Sequence, residues 1–390
     1  MESFDVVIVG AGAAGLMCAM TAGNRGRRVL LLEHNDQPGA KILISGGGRC
    51  NFTNLETGPE HFLSANPHFC KSALSRHTQH DFIALVERHR IRYHEKTLGQ
   101  LFCDGSAREI LAMLLAECAA AGVDLRTSHR VTEVTRAERF RIETDKGSFV
   151  APTLVLATGG LSIPKMGATS FAYEIARRFD LKVIEPQPGL VPLKAGGETL
   201  DLCRTLAGVS VDAIASCGRN RFHENILFTH RGLSGPAILQ ISSYWREGDT
   251  LSLNLAPALD IESFLANRKR TRPKAELKTV LAEVIPNRLA HALGGASSNI
   301  SIANVPDRDL SALAQRLKRW PIKPTGSEGW AKAEVTVCGI DTAALSSKTM
   351  QARAVLGLFA IGEAVDVTGW LGGYNFQWAW SSGWCAGQAV

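Results

Sequence analysis

The alternation of apolar and polar positions divides the chain into recognisable elements. Phe4 to Val9 holds an unbroken apolar run, Val6-Val7-Ile8-Val9, that stops at Gly10-Ala11-Gly12-Ala13-Ala14-Gly15. Helical spacing follows from Leu16 to Gly23, then a second apolar run, Val29 to Leu32, that ends on Glu33. The pattern predicts strand, glycine turn, helix and strand. Residues 67–122 place Phe82, Ile83, Leu85, Val86, Ile110, Leu111, Leu114 and Leu115 at helical spacing, so this stretch is expected to be mainly helical. Between 123 and 156 the period shortens, giving strands around Val131–Val134, Phe140–Ile142, Phe149–Val150 and Leu154–Leu156, the last running into Thr158-Gly159-Gly160. From Gly189 onward Leu190–Leu193, Val209–Val211 and Leu251–Leu255 predict a small β unit, and residues 261–320 a helical one, together an inserted domain. The last stretch has a strand at Gly357–Ile361 ending in Gly362-Glu363, then Gly372-Gly373 and an apolar helix to Val390.

Composition narrows the class. At 390 residues, 45% hydrophobic and 21% charged, the chain has the make-up of a soluble globular protein of two or three domains. No apolar stretch approaches the roughly 20 residues of a membrane helix. Met1-Glu2-Ser3-Phe4-Asp5 is acidic and leads straight into the first strand, unlike a signal peptide, so a cytoplasmic location is expected. Nine cysteines without a CxxC pair suggest neither a disulfide framework nor a metal site. The net charge of +6 suits anionic ligands. The one basic cluster, Arg268 to Lys274, lacks interleaved aromatics and is better explained as a solvated helix end than as a nucleic-acid contact.

The glycine turn suggests the chemistry. In such a unit Gly10 permits a tight turn, Gly12 lets backbone approach a pyrophosphate, and Gly15 lets helix and sheet pack closely. Free N–H groups at the helix start favour phosphate, and Glu33 is positioned to accept from an unphosphorylated ribose. Ser45-Gly46-Gly47-Gly48-Arg49-Cys50-Asn51 followed by Phe52-Thr53-Asn54 makes a good ligand wall, with exposed N–H groups, a cation and directional amides. A strand ending in Gly362-Glu363 can deliver a carboxylate to polyol hydroxyls, which FAD has in its ribityl chain and NAD does not. Gly372-Gly373 would aim N–H groups at the pyrimidine edge of a flavin. Trp378, Trp380 and Trp384 are expected in the core, and His94 and Cys103 to be structural. In Leu227–Ala237, Ser234 is a candidate helix cap, and His230 and Arg231 face either a substrate or a plain capping turn.

SGGGRCNFTN at 45–54, LFTHRGLSGPA at 227–237 and IGEAVDVTGWLGGYNFQWAWSSG at 361–383, together with GAGAAG, resemble the BaiN-type family of FAD-dependent oxidoreductases, which includes aminoacetone oxidase. The resemblance spans essentially the whole chain. It implies an α/β fold: a Rossmann-like, three-layer βαβ FAD-binding domain from residues 1–188 and 341–390. A β-barrel-like unit (189–257 and 321–340) and a helical insert (258–320) would interrupt it, the middle of the chain folding over the reactive ring. Carried onto this chain, the FAD contacts fall on Gly10, Gly12, Ala13, Ala14, Gly15, Glu33, His34, Lys41, Ser45, Gly46, Gly47, Gly48, Arg49, Cys50 and Asn51. The remainder are Val131, Thr158, Gly159, Gly160, Gly362, Glu363, Asp366, Gly373, Tyr374, Asn375, Phe376 and Gln377. One departure is Val337-Cys338-Gly339-Ile340-Asp341, where the family usually has paired glycines.

The expected function is transfer of hydride or electrons through bound FAD between a small-molecule substrate or NAD(P)H and an acceptor. No second glycine fingerprint marks a separate nicotinamide domain. His230 and Tyr374 are candidate acid–base groups. The alternatives are an RNA-associated flavoprotein and a redox sensor without turnover that works through Cys50.

Overall fold

The computed structural model describes all 390 residues. The chain divides into two compact units, residues 1–187 with 335–390, and residues 188–334.

The first unit is built on a five-stranded parallel sheet in the order Leu358–Ala360, Thr153–Leu156, Val6–Val9, Val29–Leu32, Asp124–Arg126. Every residue of the three middle strands is buried except Thr153, which explains their unbroken apolar runs: a parallel strand has no solvent face to make polar. The helix Ala13–Gly23 packs against the helices Ala107–Ala120 and Tyr374–Gly387, so both chain ends share one core. A four-stranded sheet adds Glu2–Ser3, Gly147–Ala151, Phe140–Thr144 and Val131–Arg136. The architecture is the expected Rossmann-like α/β fold.

Two expectations are corrected in this unit. The supposedly helical region 67–122 contains a strand pair, Tyr93–Glu95 with Gln100–Cys103, which joins Asn51–Asn54 in a three-stranded sheet. Leu98 and Gly99 at its turn have positive φ, of 50° and 72°, which no helix tolerates. Residues 335–340, assigned to the inserted domain from sequence, sit in the first unit: Val335–Ile340 pairs with Val183–Gly189.

The second unit is a seven-stranded antiparallel sheet with the helices Ile261–Thr271, Leu277–Leu281, Asn287–Gly294 and Asp307–Lys318. Its two outermost strands, Trp320–Ile322 and Gly326–Ser327, are separated by only three residues. A sheet whose opposite edges are joined so closely must curl towards a barrel. The helix Pro236–Ser242 is entered through Gly235 and not capped by Ser234, which ends a strand. Gly235 has φ 87°, and a Cβ there would lie 2.7 Å from the Asn225 carbonyl oxygen, so backbone crowding chose the residue.

Candidate functional site

The parallel sheet of the first unit brings Gly10, Glu33, Thr158 and Gly362 together along the carboxyl edge of its strands. The strand order reverses between Val6–Val9 and Thr153–Leu156, the place where open α/β sheets form a binding crevice. Gly10, at φ 107°, lies against the next strand, and a Cβ on it would stand 2.5 Å from the Ala157 carbonyl oxygen. A Cβ on Gly15 would be 1.9 Å from the Gly10 carbonyl oxygen, whereas one on Gly12 would meet nothing within 4 Å. The first and third glycines therefore serve packing, and the second opens the turn to a ligand. The helix Ala13–Gly23 has neither a side-chain cap nor an acid in its first turn, which leaves its first N–H groups for an anion. Beside it the Thr158 hydroxyl is buried without a hydrogen-bond partner. A free helix start, an open glycine and an orphaned hydroxyl are the features a pyrophosphate would fill.

Glu33 is buried, and its carboxylate accepts from the backbone N–H groups of Ala11 (3.0 Å) and Asn35 (2.9 Å). These bonds hold it against the turn while its remaining lone pairs stay available to ribose hydroxyls. His34 Nδ1 lies 3.6 Å from the same carboxylate. The His129 N–H donates to the Glu33 carbonyl, which brings Val131, two residues on, to this end of the sheet.

Further along the edge is a charged cluster. Lys41 Nζ donates to Glu363 (2.7 Å) and to the Ser162 hydroxyl (2.6 Å). Glu363 also accepts from the Ser162 hydroxyl (2.7 Å) and the Thr336 N–H (2.9 Å). Burial alone would raise the Glu363 carboxyl, but the Lys41 ammonium and the hydroxyl and amide donors outweigh it and hold it below the usual carboxylate range. Gly160 passes so close that a Cβ would touch Thr336 Oγ1 at 2.2 Å. Nothing in the sequence pattern singled out Ser162 and Thr336; they arrive from separate strand ends, and only chain folding reveals them.

Gly46, Gly47 and Gly48 take successive left-handed φ values of 56°, 67° and 87°, and a Cβ on either of the last two would face open space. Arg49 is exposed at the end of this run. The Asn51 amide is set against the Gly373 N–H at 3.2 Å, which ties the glycine wall to the start of the helix Tyr374–Gly387. That helix also begins without a side-chain cap or an acid. Tyr374 stacks on His61 with ring centroids 4.7 Å apart, and Trp370 meets His61 edge-on at 4.9 Å. His61, which the sequence pattern missed, accepts the Gly58 N–H at Nδ1 (3.2 Å), so its neutral ring carries the proton on Nε2.

Other candidates are held by the protein itself. Gln377 is fully buried between Thr53, Ser381 and the His77 carbonyl. Asp366 accepts from the Ala65 N–H (2.8 Å), and burial raises its carboxyl. Asn375 closes the turn at Gly369, and Phe376 stacks on Trp380. Cys50 is completely buried, and burial pushes its thiol up to about 12. His230 lies in the second unit, in the turn closed by the Thr229 hydroxyl on the Gly232 carbonyl.

Residues 4–389 match the family described as HI0933-like protein Rossmann domain. A ribosomal RNA dihydrouridine synthase of Escherichia coli is 51% identical over 392 residues, covering 100% of this chain and 98% of its own length. A protein of the same name from Haemophilus influenzae is 44% identical, covering 98% of each chain. A 3-dehydro-bile acid delta(4,6)-reductase of Clostridium scindens is 27% identical, again over 98% of each. Among solved structures, a 3-ketosteroid-delta4-(5alpha)-dehydrogenase from Rhodococcus jostii shares the fold, with a TM-score of 0.53 at 14% identity over 99% of this chain and 97% of that one. RNA stands in the names of two of these relatives, so nucleic acid, which the basic cluster at 268–274 did not support as a partner, is not excluded. No helix is long and apolar enough to cross a membrane. The chain belongs to the HI0933-like family of FAD-binding Rossmann proteins, and its cofactor is FAD.

Proposed function

We propose that the protein is an FAD-dependent reductase that converts uridine in ribosomal RNA to 5,6-dihydrouridine, with NAD(P)H as the electron source. The observation that carries this reading is 51% identity over the whole chain to a protein of that name, on a fold whose crevice suits FAD. The chemistry is consistent across the relatives. Uracil C5=C6 is conjugated to the C4 carbonyl, and a delta(4,6)-reductase of a 3-dehydro bile acid likewise acts on a double bond conjugated to a ketone.

FAD, when bound and reduced, would supply the hydride for uracil C6, and C5 would need a proton. The residues of this chain do the rest. Gly12 and the start of the helix Ala13–Gly23 would hold the pyrophosphate, Glu33 the ribose, and the Lys41–Glu363 cluster the ribityl hydroxyls. The Gly373 end of the last helix, with its uncapped N–H groups, would hold the pyrimidine edge, where negative charge would accumulate on reduction. His61 Nε2 and Tyr374 Oη, stacked at that helix start, are the groups to hold the proton for C5.

The test incubates FAD-loaded protein with NADH or NADPH and unmodified ribosomal RNA transcript, then digests the RNA and analyses the nucleosides by mass spectrometry. Dihydrouridine that forms only with protein and a nicotinamide donor is expected. Flavin that is reduced and reoxidised while no dihydrouridine appears, in free transcript or in ribosomal particles, would overturn the reading.

A further inference from the structure

The second unit holds nearly all of the chain's excess positive charge: 19 Lys and Arg against 14 Asp and Glu within residues 188–334. The basic run at 268–274 is paired within the unit only in part: Arg270 and Lys274 are exposed without an acid partner. Arg268 and Arg272 both bind Glu283, and Lys269 binds Asp307 and the Val305 carbonyl.

A separate group of exposed cations without acid partners lies at one end of the antiparallel sheet. The strands Ser210–Cys217 and Asn220–Thr229 form a hairpin with Arg219 at its tip. Arg221 stands opposite Ser216, Ser216 opposite Ser252, and Ser252 opposite Pro321, so one row crosses four strands on a single face. The next rows on that face hold His223 with Ile214 and Asn254, then Asn225 with Asp212. The alternate positions, Val211, Ala213, Ala215, Phe222, Leu251 and Leu253, are buried on the other face. Arg219, Arg221 and Lys323 are exposed and form no ion pair. Asp212 is the one acid on this face of the four strands, and His223 holds it at 3.0 Å.

We propose that this sheet face is the RNA-binding surface of the second unit, a proposal that rests on the ribosomal RNA reading above. Arg219, Arg221 and Lys323 meet phosphates, and the Ser216, Ser252 and Asn225 side chains offer neutral hydrogen bonds to sugars and bases. Such a face, cationic at its edge and uncharged at its centre, fits a polyanion that must also be held in register.

The probe is unmodified ribosomal RNA transcript titrated with FAD-loaded protein at several salt concentrations. Arg219→Glu/Arg221→Glu is expected to weaken binding about ten-fold or more and to flatten the slope of log K against log salt by about 1 or 2. Asp212→Asn is expected to tighten binding about two-fold or more, an effect that a misfolded protein would not produce. Arg270→Ala/Lys274→Ala is expected to change little. Unaltered affinity in the folded double variant, judged by FAD content and thermal unfolding, or weaker binding by Asp212→Asn, would overturn the surface. If wild-type protein makes dihydrouridine while the double variant binds normally, the surface is wrong and the function stands. If the double variant loses RNA but wild-type protein makes no dihydrouridine, the surface stands and the function fails. Wild-type protein that binds no RNA even at low salt sinks both.

Discussion

Three glycines in one turn do three different jobs, and single substitutions separate them. Gly12 has an ordinary extended φ of −83° and open space in front of it, so Gly12→Ala should fold with an unchanged melting temperature and bind FAD poorly. Gly15→Ala would drive a methyl into the Gly10 carbonyl and should cost about 1–3 kcal/mol of stability, the range of an overpacked core. Thermal unfolding and FAD titration of both variants check this; equal effects on the two readouts would remove the distinction. Cys338 shows how far context can override a residue's preference. It sits at φ 69°, a conformation that favours glycine, and the strand Val335–Ile340 forms nonetheless.

The Lys41–Glu363 pair carries a pH signature. A carboxyl whose native pKa lies below its unfolded value of 4.5 binds fewer protons when folded, so it adds stability above about that pH and loses it as the pH falls through the native value. In Lys41→Met only the Ser162 and Thr336 donors still oppose burial, so the native pKa should rise and the stability that this carboxylate adds above about pH 4.5 should shrink. The gap in melting temperature between the two proteins should therefore be widest near neutral pH and narrow as the pH falls below about 4.5. Parallel curves would mean that Lys41 does not govern this carboxyl.

At the scale of elements, the last helix carries the most structural consequence. Tyr374–Gly387 is apolar nearly all round because it is enclosed: Trp378 donates to the Gly362 carbonyl (3.0 Å) and Trp380 to that of Phe52 (2.8 Å). A Cβ on Gly383 would stand 2.5 Å from the Ala14 carbonyl oxygen, so this glycine sets how closely the last helix approaches the first. Gly383→Ala should push the two apart, lower stability by about 1–3 kcal/mol and weaken FAD binding through the displaced helix starts, although it touches no ligand. Calorimetry and flavin release report the two effects, and full stability with full FAD content would show that the contact is slack. Elements with a single dominant signal, the glycine turn and the buried strands, were legible in the sequence. The strand pair around Gly99 was not, because its short strands lie between long amphipathic helices and the turn depends on two positive φ values that composition does not announce.

At the scale of the molecule, the outline of the cofactor site was readable and its inner structure was not. The pattern placed Gly10, Gly12, Gly15 and Glu33 in one βαβ unit because local spacing alone specifies that unit. It also named Glu363, and the family resemblance named Lys41; the two fold onto each other from positions 322 residues apart. Ser162, Thr336 and His61 carry no motif, and their meeting depends on how strand ends and loops are packed. Cys50 and Gln377 looked like ligand contacts from their neighbours in sequence, but both side chains turn inward to satisfy the core.

Charge divides in the same way. The chain's excess of +6 is a property of composition, but which cations are free to act is not. Glu283 and Asp307 take up much of the basic run at 268–274, while sheet register gathers Arg221 with the neutral side chains of neighbouring strands. By itself the sequence determined the nucleotide-binding turn and the buried strands, because these follow from periodicity and short-range backbone geometry. Tertiary structure alone decided which carboxylate is paired, which thiol is sealed and which arginines face solvent, because each depends on the dielectric and the partners supplied by residues distant in the chain.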